Sequence, residues 1–369
     1  MKTWQNEAPL PVHHTLIDRI FTESTLFIDI ETTGFSPAHA QVCLIGCAAR
    51  REDKLWITQF FCEKPQEEGD ILSAFLTYSS NYDQIVTYNG VRFDLPFLEE
   101  RCRTYHLDGK LSELQQIDLF QMLSKYKDIL KLSDMKLNTV EAFLGIHRKD
   151  ACTGKDFVRL YQEYSAACNH SPRSEEIAAL LKLHNYEDLL GMADLLPALA
   201  YCRLFEGDFR AAAPMQNTYT DYHGAQCLEC ILPLQLDYPL PVRLSFGKDA
   251  VYLTGQGDTA KISVKARQGE LKYYYPNYRD YYYLPAEDMA MHKSVASYVG
   301  KKYRRQATAA TCYTRKTGCF LPQYQELFQP CFRAGRHARP AYFELDSPFT
   351  ETPKAWDSYA RHLLQWLLK

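Results

Sequence analysis

Short apolar runs in the first ninety residues predict a β-sheet. Residues 25–31 form a run rich in β-formers that ends at a turn, and residues 42–48 and 55–61 continue it as two further strands. The polar link at 50–54 between those two runs is typical of a hairpin. A fourth short strand is predicted at 85–88, before Asn89 and Gly90 break the chain.

Helical periodicity dominates from there to about residue 209. Apolar positions recur at helical spacing around residues 71–78 and 137–144, and a helix is predicted to start near Asp94. The region 116–119 is predicted to be one more short strand. This order of strands and helices predicts an α/β domain over residues 1–209.

A second, smaller α+β domain rich in strands is predicted over residues 221–369. The segment 210–220, with alanines, a proline and small polar residues, is predicted to be the linker. Short alternating runs between 231 and 275 predict an antiparallel sheet, a helix is expected after Pro285, and an apolar stripe from Trp356 to Leu367 predicts a final helix.

Charge is distributed unevenly along the chain. The net charge is −3, but residues 261–316 carry twelve Lys and Arg against four acids, which leaves −11 on the remainder. Seven tyrosines lie within the eleven residues from 273 to 283. Cations interleaved with aromatic rings suit single-stranded nucleic acid. The candidate contacts are Lys272, Tyr278, Arg279, Lys301, Lys302, Arg304 and Arg305. Of these, Lys301, Arg304 and Arg305 are predicted to lie on one helix. The alternative is that the tyrosines pack a sheet core.

The chain has twelve cysteines without the spacing of a disulfide scaffold, so most are predicted to be buried thiols in a reducing compartment, by default the cytoplasm. Cys227 and Cys230 have metal-ligand spacing, but buried thiols are favoured there as well. No apolar run reaches the length of a membrane span, and the first residues lack the pattern of a signal peptide.

Two acids at the end of the first predicted strand indicate a metal site. Asp29 and Glu31 are two residues apart, so their side chains leave the same face of the sheet. Carboxylate oxygens are ligands for Mg²⁺, and a pair of such ions can promote phosphoryl displacement. The alternative is a pair of ordinary acids at a turn.

Residues 27–34, FIDIETTG, resemble the first motif of the DEDD 3′-to-5′ exonucleases, which have a ribonuclease H-like fold. Residues 86–97 resemble the second motif and residues 184–188 the third. The closest likeness is to a poorly characterised bacterial branch of exonucleases of this kind, over residues 24 to 205. The resemblance implies a mixed sheet flanked by helices and two divalent ions, Mg²⁺ or Mn²⁺. It also implies four acidic ligands: Asp29, Glu31, Asp94 and Asp188.

His184 precedes Asp188 by one helical turn, and the resemblance implies that it orients or deprotonates the attacking water. Its spacing departs from the family, because a tyrosine usually occupies this position. Asn89 and Asn185 are candidate supports for the acids or the phosphate. For Asp118, a structural hydrogen-bonding role is favoured over a role as a fifth carboxylate ligand of the metal ions.

These features predict a metal-dependent 3′-to-5′ exonuclease that acts on single-stranded DNA or RNA, or on frayed ends. Two alternatives remain: a catalytically idle nucleic-acid-binding module, and a structure-selective endonuclease on the same fold. The sequence does not select a protein partner.

Overall fold

The computed structural model describes residues 1–11, 14–108, 111–149, 152, 154–167, 171–346 and 352–369. A six-stranded mixed sheet is the centre of its N-terminal part. The strands are β1 Lys2–Pro9, β2 Thr25–Thr32, β3 Val42–Arg51, β4 Lys54–Phe61, β5 Gln84–Thr87 and β6 Gln115–Asp118. They lie in the order β1-β4-β3-β2-β5-β6. β2 pairs antiparallel with β3 and parallel with β5.

Helices cover both faces of this sheet. They are α1 Thr15–Ile20, α2 Glu68–Ser79, α3 Asp94–Thr104, α4 Leu119–Ser124, α5 Leu137–Leu144, α6 Gly154–Ala166, α7 Pro172–Leu195 and α8 Leu199–Glu206. Neighbouring side chains of β4 point to opposite faces, where Phe60 packs against Tyr78 of α2 and Phe61 against Tyr161 of α6. The predicted mixed sheet flanked by helices is confirmed.

β1 was not predicted. It pairs with β4 along its whole length at the edge of the sheet, and most of its side chains are exposed or half-buried. An edge strand of this kind buries little, so it leaves no apolar alternation in the sequence.

The C-terminal part contains several small antiparallel assemblies. Its elements are β7 Phe209–Ala211, β8 Met215–Thr220, β9 Gln226–Lys248, β10 Val251–Lys265, β11 Arg267–Tyr274, β12 Tyr281–Leu284, β13 Met289–His292, α9 Lys293–Ala296, β14 Arg305–Gln306, β15 Tyr313–Gln323, β16 Phe332–Arg333, β17 Ala341–Glu344 and α10 Pro353–Leu367. β7, β8 and β10 pair with β9, and β11, β15, β17 and β16 close a small barrel. α10 confirms the predicted C-terminal helix.

The chain folds into two compact units. The first unit comprises Met1–Arg203 and Tyr238–Val242, and the second comprises Leu204–Asp237 and Arg243–Lys369. No helix in the described ranges has the length and hydropathy needed to cross a membrane.

Two sequence predictions for the C-terminal part require correction. The segment 210–220, predicted to be a linker, carries β7 and β8, because its small polar residues hydrogen-bond along β9 and need no apolar face to do so. The helix expected after Pro285 is replaced by strand β13 and the four-residue helix α9. Its cations Lys301 to Arg305 therefore share no helical face.

A buried ion pair connects α2 to α3 in the first unit. The Glu68 side chain is completely buried and accepts hydrogen bonds from Val42 N at 2.8 Å, Arg101 Nε at 2.8 Å and Arg101 Nη2 at 2.7 Å. Arg101 also donates from Nη1 to Pro37 O at 2.9 Å. Removing one partner of such a pair leaves an uncompensated charge in the core.

We therefore expect Arg101→Ala to lower the free energy of unfolding of the first unit by about 3–5 kcal/mol. Arg103→Ala is the matched control, because Arg103 pairs with Glu100 on the surface and is 70% exposed. Urea unfolding followed by circular dichroism measures both. Equal stability of the two variants would contradict this role of the pair.

Candidate metal centre

The acids of β2 point toward helix α7. Asp29 and Glu31 are half-buried, while the alternating residues Ile28 and Ile30 are 1% and 5% exposed. Alternation along the strand thus places both carboxylates on one face and the apolar side chains in the core. This arrangement is the one expected from the sequence.

Asn185 of α7 holds the Asp29 carboxylate in place. Its side chain is completely buried, donates to Asp29 Oδ2 at 2.7 Å, and accepts a hydrogen bond from Gln59 Nε2 at 2.8 Å. Gly46, the partner of Asp29 in β3, makes room for it, because a Cβ there would collide with Asn185 Oδ1. The supporting contact expected of Asn185 is present.

Asp94 begins α3 and approaches the same strand. Its Oδ1 accepts a hydrogen bond from Ile30 N at 3.1 Å, and the side chain is buried. Burial raises the pKa of Asp94 to about 7, with the negative charges of Asp118 and Asp188 adding to the effect. Burial also raises the pKa of Asp29, and the charges of Asp188 and Asp94 raise it further.

His184 and Asp188 complete the cluster from α7. His184 Nε2 lies 3.4 Å from Glu31 Oε1 and 3.8 Å from Asp188 Oδ2. Ligand atoms of Glu31, His184 and Asp188 all lie within 4.8 Å of one another, a spacing that suits a bound cation. Carboxylates brought together in this way repel each other, so the donor set fits hard divalent cations, which prefer oxygen ligands.

Arg148 is a site residue that the sequence analysis missed. It donates from Nη1 to Asp188 Oδ1 at 2.5 Å and from Nη2 to Glu141 Oε1 at 2.7 Å. Glu141 is 1% exposed, and Gly191 leaves the space for its carboxylate. Arg148 therefore holds one oxygen of Asp188 and leaves the other facing His184. The segment after α5 gave no signal for this contact because it belongs to no repeating pattern.

Asp118 has the structural role favoured from the sequence. It caps α4 by accepting from Gln121 N at 3.1 Å, and it also accepts from Asn89 N at 3.0 Å and Val91 N at 3.1 Å. Three backbone N–H groups thus donate hydrogen bonds to the Asp118 carboxylate. Asn89 has a positive φ of 64° and enters this arrangement through its backbone.

A cavity of about 720 Å³ opens beside Glu31. Its walls include Gly34, Phe35, Phe93 and Lys155. The Phe35 ring is 88% exposed and meets Phe93 edge to face at 6.4 Å. An apolar ring exposed to this degree next to a cluster of acids provides a stacking surface for a planar group.

The predicted tyrosine-rich contacts lie in the second unit, and none of the seven tyrosines from 273 to 283 is exposed. Tyr273 packs against the barrel core, while Tyr275, Tyr278, Tyr281 and Tyr283 pack around another small core. The alternative interpretation, in which these tyrosines build a core, therefore describes most of them.

The predicted cations of the second unit fall into two groups. Lys272 lies 4.0 Å above the Tyr313 ring, and Arg304 packs on Tyr282 and donates to Ala296 O, so both have structural contacts. The exposed cations are Arg279, Lys301, Lys302 and Arg305.

The described cysteines are free thiols, and most are buried, which confirms their predicted role as small apolar residues. Cys168 lies outside the described residues. Cys227 and Cys230 lie in β9, three residues apart, so their side chains leave opposite faces of the strand.

Comparisons with known proteins agree with this fold. Residues 26–200 match the model of the RNase_H superfamily. A DNA polymerase of Ostreid herpesvirus 1 (isolate France) is 31% identical over 104 residues, which are 25% of this chain and 6% of that protein. The chain therefore spans only a small part of that relative.

Solved structures with similarity to the chain include the family B DNA polymerase of the archaeon Pyrobaculum calidifontis, with 18% identity, a TM-score of 0.37, and coverage of 47% of this chain and 25% of that chain. Exonuclease I of E. coli in complex with single-stranded DNA has 14% identity, a TM-score of 0.30, and coverage of 58% and 54%. The sheet order, the flanking helices and the match over residues 26–200 together show that this region has a ribonuclease H-like fold.

Proposed function

We propose that the protein is a metal-dependent 3′-to-5′ exonuclease that hydrolyses single-stranded DNA or RNA, or frayed ends, in the cytoplasm. The convergence of Asp29, Glu31, Asp94 and Asp188 from β2, α3 and α7 is the observation that carries the proposal. Nuclease chemistry also agrees with the superfamily of residues 26–200.

The four carboxylates are the proposed ligands of two divalent ions, Mg²⁺ or Mn²⁺. Such a pair supplies the positive charge that stabilises the attacking and leaving oxygens of a phosphoryl displacement. Asn185 fixes the Asp29 carboxylate, the backbone N–H of Ile30 fixes that of Asp94, and Arg148 fixes one oxygen of Asp188. Contacts of this kind orient ligands before the ions bind.

His184 is the proposed acceptor of the proton from the attacking water. Its Nε2 faces the carboxylates of Glu31 and Asp188, where a water held by the site would lie. A neutral imidazole with its proton on Nδ1 can accept a proton at Nε2.

The cavity beside Glu31 is the proposed site of the terminal nucleotide. Phe35 and Phe93 offer rings on which a base can stack, worth about 1–3 kcal/mol, and Lys155 can neutralise a phosphate. Asn89 is a further proposed contact of the first unit. The proposed strand contacts of the second unit are the exposed cations of its basic region: Arg279, Lys301, Lys302 and Arg305.

The nuclease proposal is tested by degradation of 5′-labelled single-stranded DNA and RNA in the presence of Mn²⁺ or EDTA. We expect the wild-type protein to produce a metal-dependent ladder and Asp29→Asn to be more than about 100-fold slower, because it loses a metal ligand. Asp53→Asn is the control, since Asp53 is an exposed acid in the hairpin between β3 and β4.

Other outcomes point to the alternatives. Cleavage of circular single strands would indicate an endonuclease, because an exonuclease requires an end. Binding without any products, in wild-type protein and variant alike, would indicate an idle nucleic-acid-binding module.

The raised pKa values predict how the metal-free protein responds to pH. An acid whose pKa is higher in the folded than in the unfolded state binds more protons when folded, so stability falls as pH rises between the two values. For Asp94 this window runs from about 4, the unfolded value, to about 7. We expect melting temperatures in EDTA to fall from about pH 4 to about pH 7, and Asp94→Asn to reduce that fall. Parallel profiles for the two proteins would contradict the electrostatic account.

The space at Gly46 predicts the effect of one added methyl group. Gly→Ala in a strand ordinarily stabilises by about 0.5–1 kcal/mol, but a Cβ at Gly46 displaces Asn185 from Asp29. We expect Gly46→Ala to reduce nuclease activity by about 10–100-fold, as loss of an outer contact does. Gly335→Ala is the control, because its Cβ meets nothing closer than 4.0 Å. Full activity of Gly46→Ala would exclude Asn185 as a support of the site.

A further inference from the structure

The second unit contains a cavity of about 650 Å³ to which the proposed nuclease site assigns no role. Its volume lies in the range of small-molecule and cofactor sites. The walls combine cations with aromatic rings, namely Lys265, Arg267, Arg339, Tyr324, Tyr342 and Trp366. Ala250, Ala266 and Pro322 add apolar surface between them.

The two arginines of this cavity are available to a ligand, whereas Lys265 forms a hydrogen bond with the Cys227 side chain. Lys265, Arg267 and Arg339 are all exposed, and within the described part of the chain neither guanidinium forms an ion pair. Asp249 also lines the cavity, which leaves a formal charge of +2 on its walls. Two guanidinium groups facing one cavity are suited to a phosphate, which they can bind through paired hydrogen bonds.

The aromatic wall is rigid and partly apolar. The rings of Tyr324 and Trp366 stack with centroids 3.9 Å apart and planes 4° from parallel, while Arg267 lies 5.6 Å above the Tyr342 ring. The indole Nε1 of Trp366 is buried without a hydrogen-bond partner among the described residues. Preformed planar walls of this kind favour a flat ligand over a flexible one.

We propose that this cavity binds one nucleotide of a single-stranded nucleic acid, with the phosphate at Arg267 and Arg339 and the base against Tyr342. A purely apolar ligand would leave the charges of Arg267 and Arg339 unneutralised, and a simple anion would leave the aromatic wall unused. A base joined to a phosphate uses both surfaces. The inference rests on the proposed function in one respect, because that function supplies the single strand whose nucleotide enters the cavity. The fit to the cavity does not depend on the strand, because a free nucleoside monophosphate also joins a base to a phosphate.

Binding without turnover tests the cavity. Fluorescence anisotropy of labelled twelve-nucleotide DNA and RNA strands is measured with the full-length Asp29→Asn protein in EDTA, over a series of salt concentrations. Adding Arg267→Gln and Arg339→Gln is expected to weaken binding by about 10-fold and to reduce the salt slope by about 1, since the contact to one phosphate is lost. Arg210→Gln with Lys354→Gln, at exposed positions of the same unit outside the cavity, is the charge-matched control.

A second variant tests the aromatic wall. Tyr342→Leu is expected to weaken binding several-fold with little change in the salt slope, because stacking releases no counterions. Melting temperatures establish that each variant is folded. Competition by thymidine monophosphate, with inorganic phosphate as the comparison, distinguishes a site that accepts free nucleotides from one that requires a strand, and either result supports a nucleotide site.

Unchanged affinity and salt slope in the folded arginine variant would overturn the cavity proposal. If thymidine monophosphate competes, equally strong competition by inorganic phosphate would also overturn it. The two proposals can fail independently. The nuclease proposal is tested by comparing cleavage by the wild-type and Asp29→Asn proteins, whereas the cavity proposal is tested by binding in EDTA.

Discussion

Mutual repulsion between closely spaced carboxylates is the constraint on which the first unit's site depends. Burial raises the pKa of Asp29 and of Asp94 because the charged form loses its hydration, and the negative charge of Asp188 raises both pKa values further. The fold opposes this repulsion with fixed hydrogen bonds rather than with neutralising partners at every acid. Asn185 holds Asp29, a backbone N–H holds Asp94, and only Asp188 has an arginine among these three described acids. Such a site gains stability when cations enter it, so its proposed ion-binding role follows from the same charges that strain the metal-free protein.

The sequence predicted the elements that carry these acids because each has a strong local signal. β2 is an apolar run with two acids at its end, and α7 carries His184 and Asp188 one turn apart. The sequence did not predict Arg148, Glu141 and the spaces at Gly46 and Gly191, since these contacts join segments that are distant in the chain. Their effects depend on packing between elements, and a single sequence does not encode packing as a pattern.

The second unit was harder to predict for a different physical reason. Many of its residues are half-buried, so tyrosines that look like a surface for stacking instead pack small cores. The expected helix after Pro285 also failed, because pairing of β13 with β12 uses the same apolar residues in a strand. Cations and aromatic rings line one surface of this unit outside the tyrosine-rich segment 273–283. That surface is the cavity bounded by Arg267, Arg339 and Tyr342.

The most direct test of the central claim is calorimetric titration of the metal-stripped protein with Mn²⁺ at neutral pH. If the four carboxylates form one binding centre, the wild-type protein will take up two ions per chain, and replacing Asp188 with asparagine will remove at least one of them. Absence of binding, or the same stoichiometry and affinity in that variant, would show that the cluster of acids is not a metal centre.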